Sequence, residues 1–270
     1  MMLPALALVA LLYIVPLATL AAVSFGEHGF SLDAYDQLFG AWSYGAILVR
    51  SVRLGVIVAL GCLLFGYPMG YVLAFSAART RALLALLVLL PFWTSVLVRN
   101  FAWIYLLRDG GALSSFAGLF GQSGAPARLL YEESGVVIAM VGTLLPFMVL
   151  PVCVSIASQD RSLREAAASL GASPARVFLA VTLPQSRAGI YAGFLLTLVT
   201  AMGFFITPAL LGGGHVFVAA TFINHQIEDF LNWPLAAAAA TVLLVLVVAA
   251  VALYRRLVGR RWFGADDAAY

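Results

Sequence analysis

The ionisable side chain at membrane depth is Arg99, within Pro91-Phe92-Trp93-Thr94-Ser95-Val96-Leu97-Val98-Arg99-Asn100. A charge in hydrocarbon costs about 2.5–3.5 kcal/mol on insertion scales, so such a group normally faces a partner or a water-filled path. Two readings stand open. In one, Pro91 breaks a helix and the polar groups of Thr94, Ser95, Arg99 and Asn100 line a route for a solute, with Trp93 beside it. In the other, Arg99 lies one or two turns from the outer membrane face and snorkels to the headgroups. Bond-making chemistry finds little to work with. His28, His215 and His225 are not spaced i, i+4 from one another, and neither a G-x-S-x-G elbow nor an H-E-x-x-H helix occurs. Cys62 and Cys153 sit in apolar runs without paired spacing and suit the role of small core residues. All fifteen basic residues are arginine. A phosphate-binding P-loop needs its lysine and a Schiff base needs an amine, so neither is available. The chain therefore carries no catalytic residue and no metal or cofactor site that its sequence reveals. Any ATP that drives it is hydrolysed on another chain.

The elements that must position these residues are membrane helices. The 270 residues are 63% hydrophobic and 10% charged, with a mean hydropathy of +1.03. A soluble domain of this length has to cover itself with polar groups, so the composition predicts an all-α polytopic membrane protein. Apolar stretches place six spans at about 2–23, 46–77, 82–107, 135–157, 190–211 and 234–253. They form a single transmembrane domain over 1–270. The first stretch lacks a basic leading region and a convincing cleavage site, which favours a membrane helix over a signal peptide. Between the first two spans, Phe30, Leu32, Tyr35, Leu38 and Phe39 alternate with Asp33, Asp36 and Gln37, the pattern of a short interfacial helix.

Arginine placement orients the bundle. One side holds Arg79, Arg81, Arg161, Arg164, Arg176, Arg187, Arg255, Arg256, Arg260 and Arg261; the other holds Arg50, Arg53, Arg108 and Arg128. The excess belongs in the cytoplasm, so both termini and the loop between spans four and five are expected there. The net charge of +3 is on this account a topology signal and not a sign of nucleic-acid binding.

That central loop, 160–189, is a polar island with the grammar of two short helices. Ser162 followed by Glu165 fits a capping box, and Leu163, Ala166, Ala167 and Leu170 recur at helical spacing. Gly171 fits a helix stop, and Ser173-Pro174 fits a new cap and first turn. A second apolar stripe over Val177, Phe178 and Val181 then ends at Leu183-Pro184.

Glu165-Ala166-Ala167, Gly171, Val181 and Leu183-Pro184 resemble the EAA loop of ABC importer permeases, with valine where isoleucine is more usual. The resemblance implies the type I (MetI-like) importer permease fold, with a cytoplasmic coupling helix between spans four and five. It also implies that Glu165, Ala166, Ala167, Gly171, Ser173, Pro174 and Arg176 face an ATP-hydrolysing subunit. The stretch from Pro91 to Arg99, Gly66-Tyr67-Pro68, Phe205 to Gly213 and Asn232-Trp233-Pro234 are similar to the spermidine/putrescine branch of that family. Through it Phe204, Phe205 and Thr207 join Trp93, Thr94, Ser95, Arg99 and Asn100 as candidates for the path. The partners implied are two ATP-binding subunits that bind ATP and Mg, a second and related permease, an external solute-binding protein and the inner-membrane bilayer.

The cargo implied is a small organic solute, a polyamine first, with an opine, another small amine or a phosphonate as alternatives. A polycation prefers acidic and aromatic surroundings. Eight acids do fall on the outer side (Glu27, Asp33, Asp36, Asp109, Glu132, Glu133, Glu228 and Asp229), against four inside. Arg99, however, would repel a cation. A self-contained secondary transporter would need coupling acids within its spans, and none is present.

Overall fold

A computed structural model describes residues 2–26, 29–119 and 129–262. The chain groups into two compact units, one from 1–52 with 217–253 and the other from 53–216 with 254–270. Every regular element among the described residues is helical. Glu27, His28, Arg128, Asp266 and Asp267 lie outside those residues.

In the first unit, α1 (Met2–Val23) leads to α2 (Asp33–Gly40), the short helix that the aromatic and acidic alternation predicts. Leu38 is fully buried, while Phe30 and Phe39 project outward. The connection is fixed by a 2.8 Å hydrogen bond between Ser24 Oγ and Tyr35 Oη and by the stacking of Phe25 on Phe30. The start of α3 (Trp42–Phe75), α13 (Ala219–Glu228) and α14 (Trp233–Trp262) complete this unit. Leu38, Leu48, Ala219, Phe222, Leu235 and Ala239 form its core. Both later helices are capped by side chains. Ser51 Oγ accepts from the Ala219 amide at 2.6 Å, and Asn232 Oδ1 accepts from the Leu235 amide at 3.2 Å, just before Pro234 closes the first turn.

The second unit holds the rest of α3, α4 (Ala78–Trp93), α5 (Val96–Leu107), α6 (Ala112–Leu119), α7 (Glu133–Ala157), α8 (Arg161–Ser169), α9 (Pro174–Val177), α10 (Leu183–Gln185), α11 (Arg187–Met202) and α12 (Ile206–Leu211). Small residues let its helices approach closely. A Cβ on Gly189 would stand 2.5 Å from the Pro151 carbonyl oxygen, and one on Gly193 would stand 2.7 Å from Met148 Sδ, so α11 lies backbone to backbone on α7. At its start α7 is tied to α3 by Arg53, which donates to both Glu133 oxygens at 2.5 and 2.6 Å.

The expected spans divide into whole and broken ones. Among the described residues α3, α7 and α14 (over Trp233–Arg256) are long and apolar enough to cross a membrane unbroken. The span expected over 82–107 is instead a pair, α4 and α5, bent by 103°. Its break falls after Trp93 and not at Pro91, because a proline near a helix end removes a single bond without forcing the chain out of the helix. Thr94 and Ser95 are the residues with extended backbone, at ψ 143° and 138°. The span expected over 190–211 is likewise interrupted at 203–205. Pro208 has no N–H to offer the Phe204 carbonyl, and it sits in the first turn of a new helix, α12. By the same measure α1, over Leu11–Val23, and α11 are shorter apolar helices.

Candidate functional site

The loop after α7 is built as a projecting knob. Asp160, and not Ser162, caps α8: its Oδ1 accepts from the Ser162 amide at 2.9 Å, which makes Ser162 part of the helix. The capping box expected of Ser162 and Glu165 is therefore not formed. Two cap-competent residues lie two apart here, and the one nearer the end of α7 wins because the chain turns there. That amide bond, with a weaker contribution from the Ser162 side chain, holds the Asp160 carboxyl below the usual carboxylate range. The cap's contribution is thus present at neutral pH and is lost as pH falls through the lowered value.

No residue of α8 is buried. Glu165, Ala166 and Leu170 face outward, with Leu170 89% exposed; the Glu165 carbonyl accepts from Ser169 Oγ at 2.9 Å, while its carboxylate has no hydrogen-bond partner among the described residues. Gly171 then takes φ +83°, the left-handed turn expected of a helix-ending glycine. Ser173 Oγ accepts from the Arg176 amide at 3.4 Å and Pro174 opens α9, as the sequence predicts. The stripe over Val177 to Pro184 does not end as expected. Phe178–Thr182 winds as a π-helix and α10 carries the chain on through Pro184. An α-helical Pro184 would press its ring on the Ala180 carbonyl. The wider turn relieves this and bonds the Leu183 amide to the Phe178 carbonyl.

The base of the knob is packed, although its tip is not. Phe178 stands edge-on to Tyr67 and Tyr71 of α3, with ring centroids 6.0 and 5.5 Å away. The Arg164 guanidinium lies 4.5 Å above the Phe75 ring. Phe75 and the tyrosines lie about a hundred residues before their partners, so no local spacing could have found them.

The elbow between α4 and α5 gathers several of the expected path residues in an unexpected way. Arg99 is half-buried at this elbow. Its guanidinium turns back onto the carbonyl oxygens of Pro91 and Thr94, the latter at 3.1 Å, with Nε 3.4 Å from Thr94 Oγ1. Thr94 Oγ1 itself donates to the Pro91 carbonyl at 2.9 Å. These are the orphaned acceptors at the negative end of α4, so the cation closes a helix terminus within a 103° bend. Asn100 and Thr207 are also brought together and buried, with Thr207 Oγ1 donating to Asn100 Oδ1 at 2.8 Å. That bond joins α5 to α12, the second halves of both interrupted spans. Trp93, by contrast, is 85% exposed, Ser95 is exposed, and Phe204 and Phe205 are half-buried.

Arg99→Ala should destabilise the purified protein by about 1.5–3 kcal/mol, the range for hydrogen bonds to a charged group. Arg99→Lys should recover only part, since an ammonium can replace the Nη2 bonds to the two carbonyls but not the Nε contact to Thr94 Oγ1. Thermal melting in detergent measures both variants, and an unchanged midpoint for Arg99→Ala would remove the capping role.

Among the described residues no three of His, Cys, Asp and Glu are grouped to hold a metal ion. Three of the acids expected on the outer side are occupied already. Glu133 binds Arg53, Asp229 pairs with His225, and Glu228 accepts from Asn224 at 2.9 Å. The geometry offers an exposed helical knob and two jointed helices.

Known proteins are similar to this chain in sequence and in fold. The chain is 37% identical over 215 residues to the spermidine/putrescine transport system permease protein PotB of Escherichia coli K12, covering 80% of this chain and 78% of that one. It is 30% identical over 243 residues to the inner membrane ABC transporter permease protein YdcU of the same organism, covering 86% and 75%. A crystal structure of a bacterial ABC transporter involved in the import of the acidic polysaccharide alginate superposes with a TM-score of 0.72. That match covers 96% of this chain and 94% of the other at 20% identity, a likeness of fold. Residues 66–263 match the family described as binding-protein-dependent transport system inner membrane component, and to that family of ABC importer permeases the chain belongs.

Proposed function

We propose that this permease passes a polyamine of the spermidine or putrescine type inward across the inner membrane. The observation that carries the substrate is the 37% identity to a spermidine/putrescine permease over four-fifths of the chain. The outer acids lend it little, because three of them are engaged by their own neighbours. The arginine excess supports an orientation with both termini and the α8–α9 loop in the cytoplasm.

In that orientation α8 and α9 seat on one of two ATP-binding subunits, which bind ATP and Mg. Glu165 offers an acid to a basic group of that partner, and Ala166 and Ala167 let its surface approach. Gly171, Ser173, Pro174 and Arg176 set the reversal that carries force back to the membrane. A second, related permease supplies the other half of the path, along which Trp93, Thr94, Ser95, Arg99, Phe204, Phe205 and the tie of Asn100 to Thr207 lie. An external solute-binding protein delivers the cargo; an alginate transporter of the same fold has been solved in complex with a pentasaccharide-bound periplasmic protein.

The test is uptake of labelled spermidine by cells without polyamine import of their own, given this chain with its partner subunits. Uptake should appear, should be competed by putrescine, and should be indifferent to sulfate. Transport of another solute in place of spermidine would overturn the substrate. A cysteine placed at Ser173 should be labelled only from the cytoplasm, and labelling from outside intact cells would overturn the orientation.

A further inference from the structure

The chain that leads from the exposed knob to α11 has two soft points. One is the π-helical turn Phe178–Thr182, and the other is Ser186, where φ −82° and ψ 0° interrupt the helix. A strut interrupted twice should bend under load and not transmit it. Each soft point, however, is fastened by a side chain from another part of the chain. The Gln159 amide, at the end of α7, donates to the Thr182 carbonyl at 3.1 Å, beside the Ser186 amide that donates to the same oxygen at 3.0 Å. Ser186 Oγ donates to the Leu183 carbonyl at 2.9 Å, so its own proton is engaged. The Tyr67 hydroxyl of α3, 3.0 Å away, is therefore the donor to Ser186 Oγ. Ser186 and Thr182 are buried, and Tyr67 is 9% exposed, so water does not compete for these groups.

Gln159 shows that this arrangement is placed for holding the strut. Its Oε1 is buried without a partner, and turning the amide over would only bring that oxygen against the Thr182 carbonyl. A buried acceptor left unmade opposes stability, so the side chain is retained for its donor. We infer that Tyr67, Ser186 and Gln159 form a polar latch that stiffens the strut, making them positioning residues for the conversion of ATP hydrolysis into uptake. Tyr67 acts through Ser186, and Gln159 acts through the backbone at Thr182. The inference rests on the proposed role of the α8–α9 loop as the contact to the ATP-binding subunit.

The assembled importer in proteoliposomes, with its partner subunits and spermidine-loaded binding protein, separates the possibilities. Tyr67→Phe keeps the ring against Phe178 and removes only the hydroxyl. ATP hydrolysis should continue near the parent rate while uptake per ATP falls about fivefold, the equilibrium factor of one net hydrogen bond. Ser186→Ala, which also gives up the bond to the Leu183 carbonyl, should cost at least as much, and the double variant should be no worse than Ser186→Ala alone, because Tyr67 acts only through that hydroxyl. Uptake per ATP equal to the parent's in Tyr67→Phe would overturn the latch. So would an additive double variant, or a proportional loss of hydrolysis and uptake with a lowered melting point, which marks a merely structural bond. Glu165→Lys in the same preparation reports on the reading beneath. Normal uptake there defeats the loop's role, whereas lost uptake beside a normal Tyr67→Phe defeats the latch alone.

Discussion

Gly171→Val and Glu165→Lys should each abolish uptake while the permease remains inserted in the membrane. Gly171 holds φ +83°, where a side-chain-bearing residue costs roughly 1–2 kcal/mol and a β-branched one does worst. A Cβ there would meet nothing within 4 Å, so the penalty is conformational and owes nothing to crowding. That distinction supplies a control. Gly171→Asn, which tolerates the left-handed region, should keep most of the uptake that valine loses. Glu165→Lys leaves the exposed helix α8 intact and reverses the charge offered at its face. Substrate-stimulated ATP hydrolysis should fall, or the ATP-binding subunit should be lost in pull-down. Normal uptake by both variants would mean that force does not enter through this loop.

The second large effect is expected at Gly189. A methyl group there would sit 2.5 Å from both the Pro151 carbonyl oxygen and Ser155 Cβ, and the first of these is backbone that cannot swing aside. Gly189→Ala should therefore push α11 from α7, at the upper end of the roughly 1–3 kcal/mol typical of overpacking. Gly193→Ala meets first the sulfur end of Met148, a flexible side chain, and should be milder. The amount of monodisperse detergent-solubilised protein, with its melting point, measures the order of the two. Parent-like yield and melting for Gly189→Ala would show that the two helices can part without loss.

Much of the loop from α8 to α9 was legible because its signals are local. Gly171, Ser173 and Pro174 act within one turn of themselves, and they sit where their chemistry required. The cap of α8 was misplaced by two residues because Asp160 and Ser162 are both competent, and the end of α7 decides between them. The third span was expected to break at Pro91. Its turn falls at Thr94 because the carbonyls freed at the end of α4 find donors in Thr94 and Arg99, the latter eight residues from Pro91. The π-helix and the ties of Gln159, Tyr67 and Phe178 carry no local signature. Their partners are 23, 119 and about a hundred residues away in sequence, so only the folded chain brings them together.

The tie between Asn100 and Thr207 has a bearing on how this chain can diverge. Both side chains are buried, and each is the other's answer across 107 positions of sequence. A lineage that loses the hydroxyl first strands an amide oxygen in a dry interior, and one that loses the amide first strands the hydroxyl. Either half-step is worse than the start, whereas two matched apolar residues come close to neutral. On that account the two positions should drift as a pair or hardly at all.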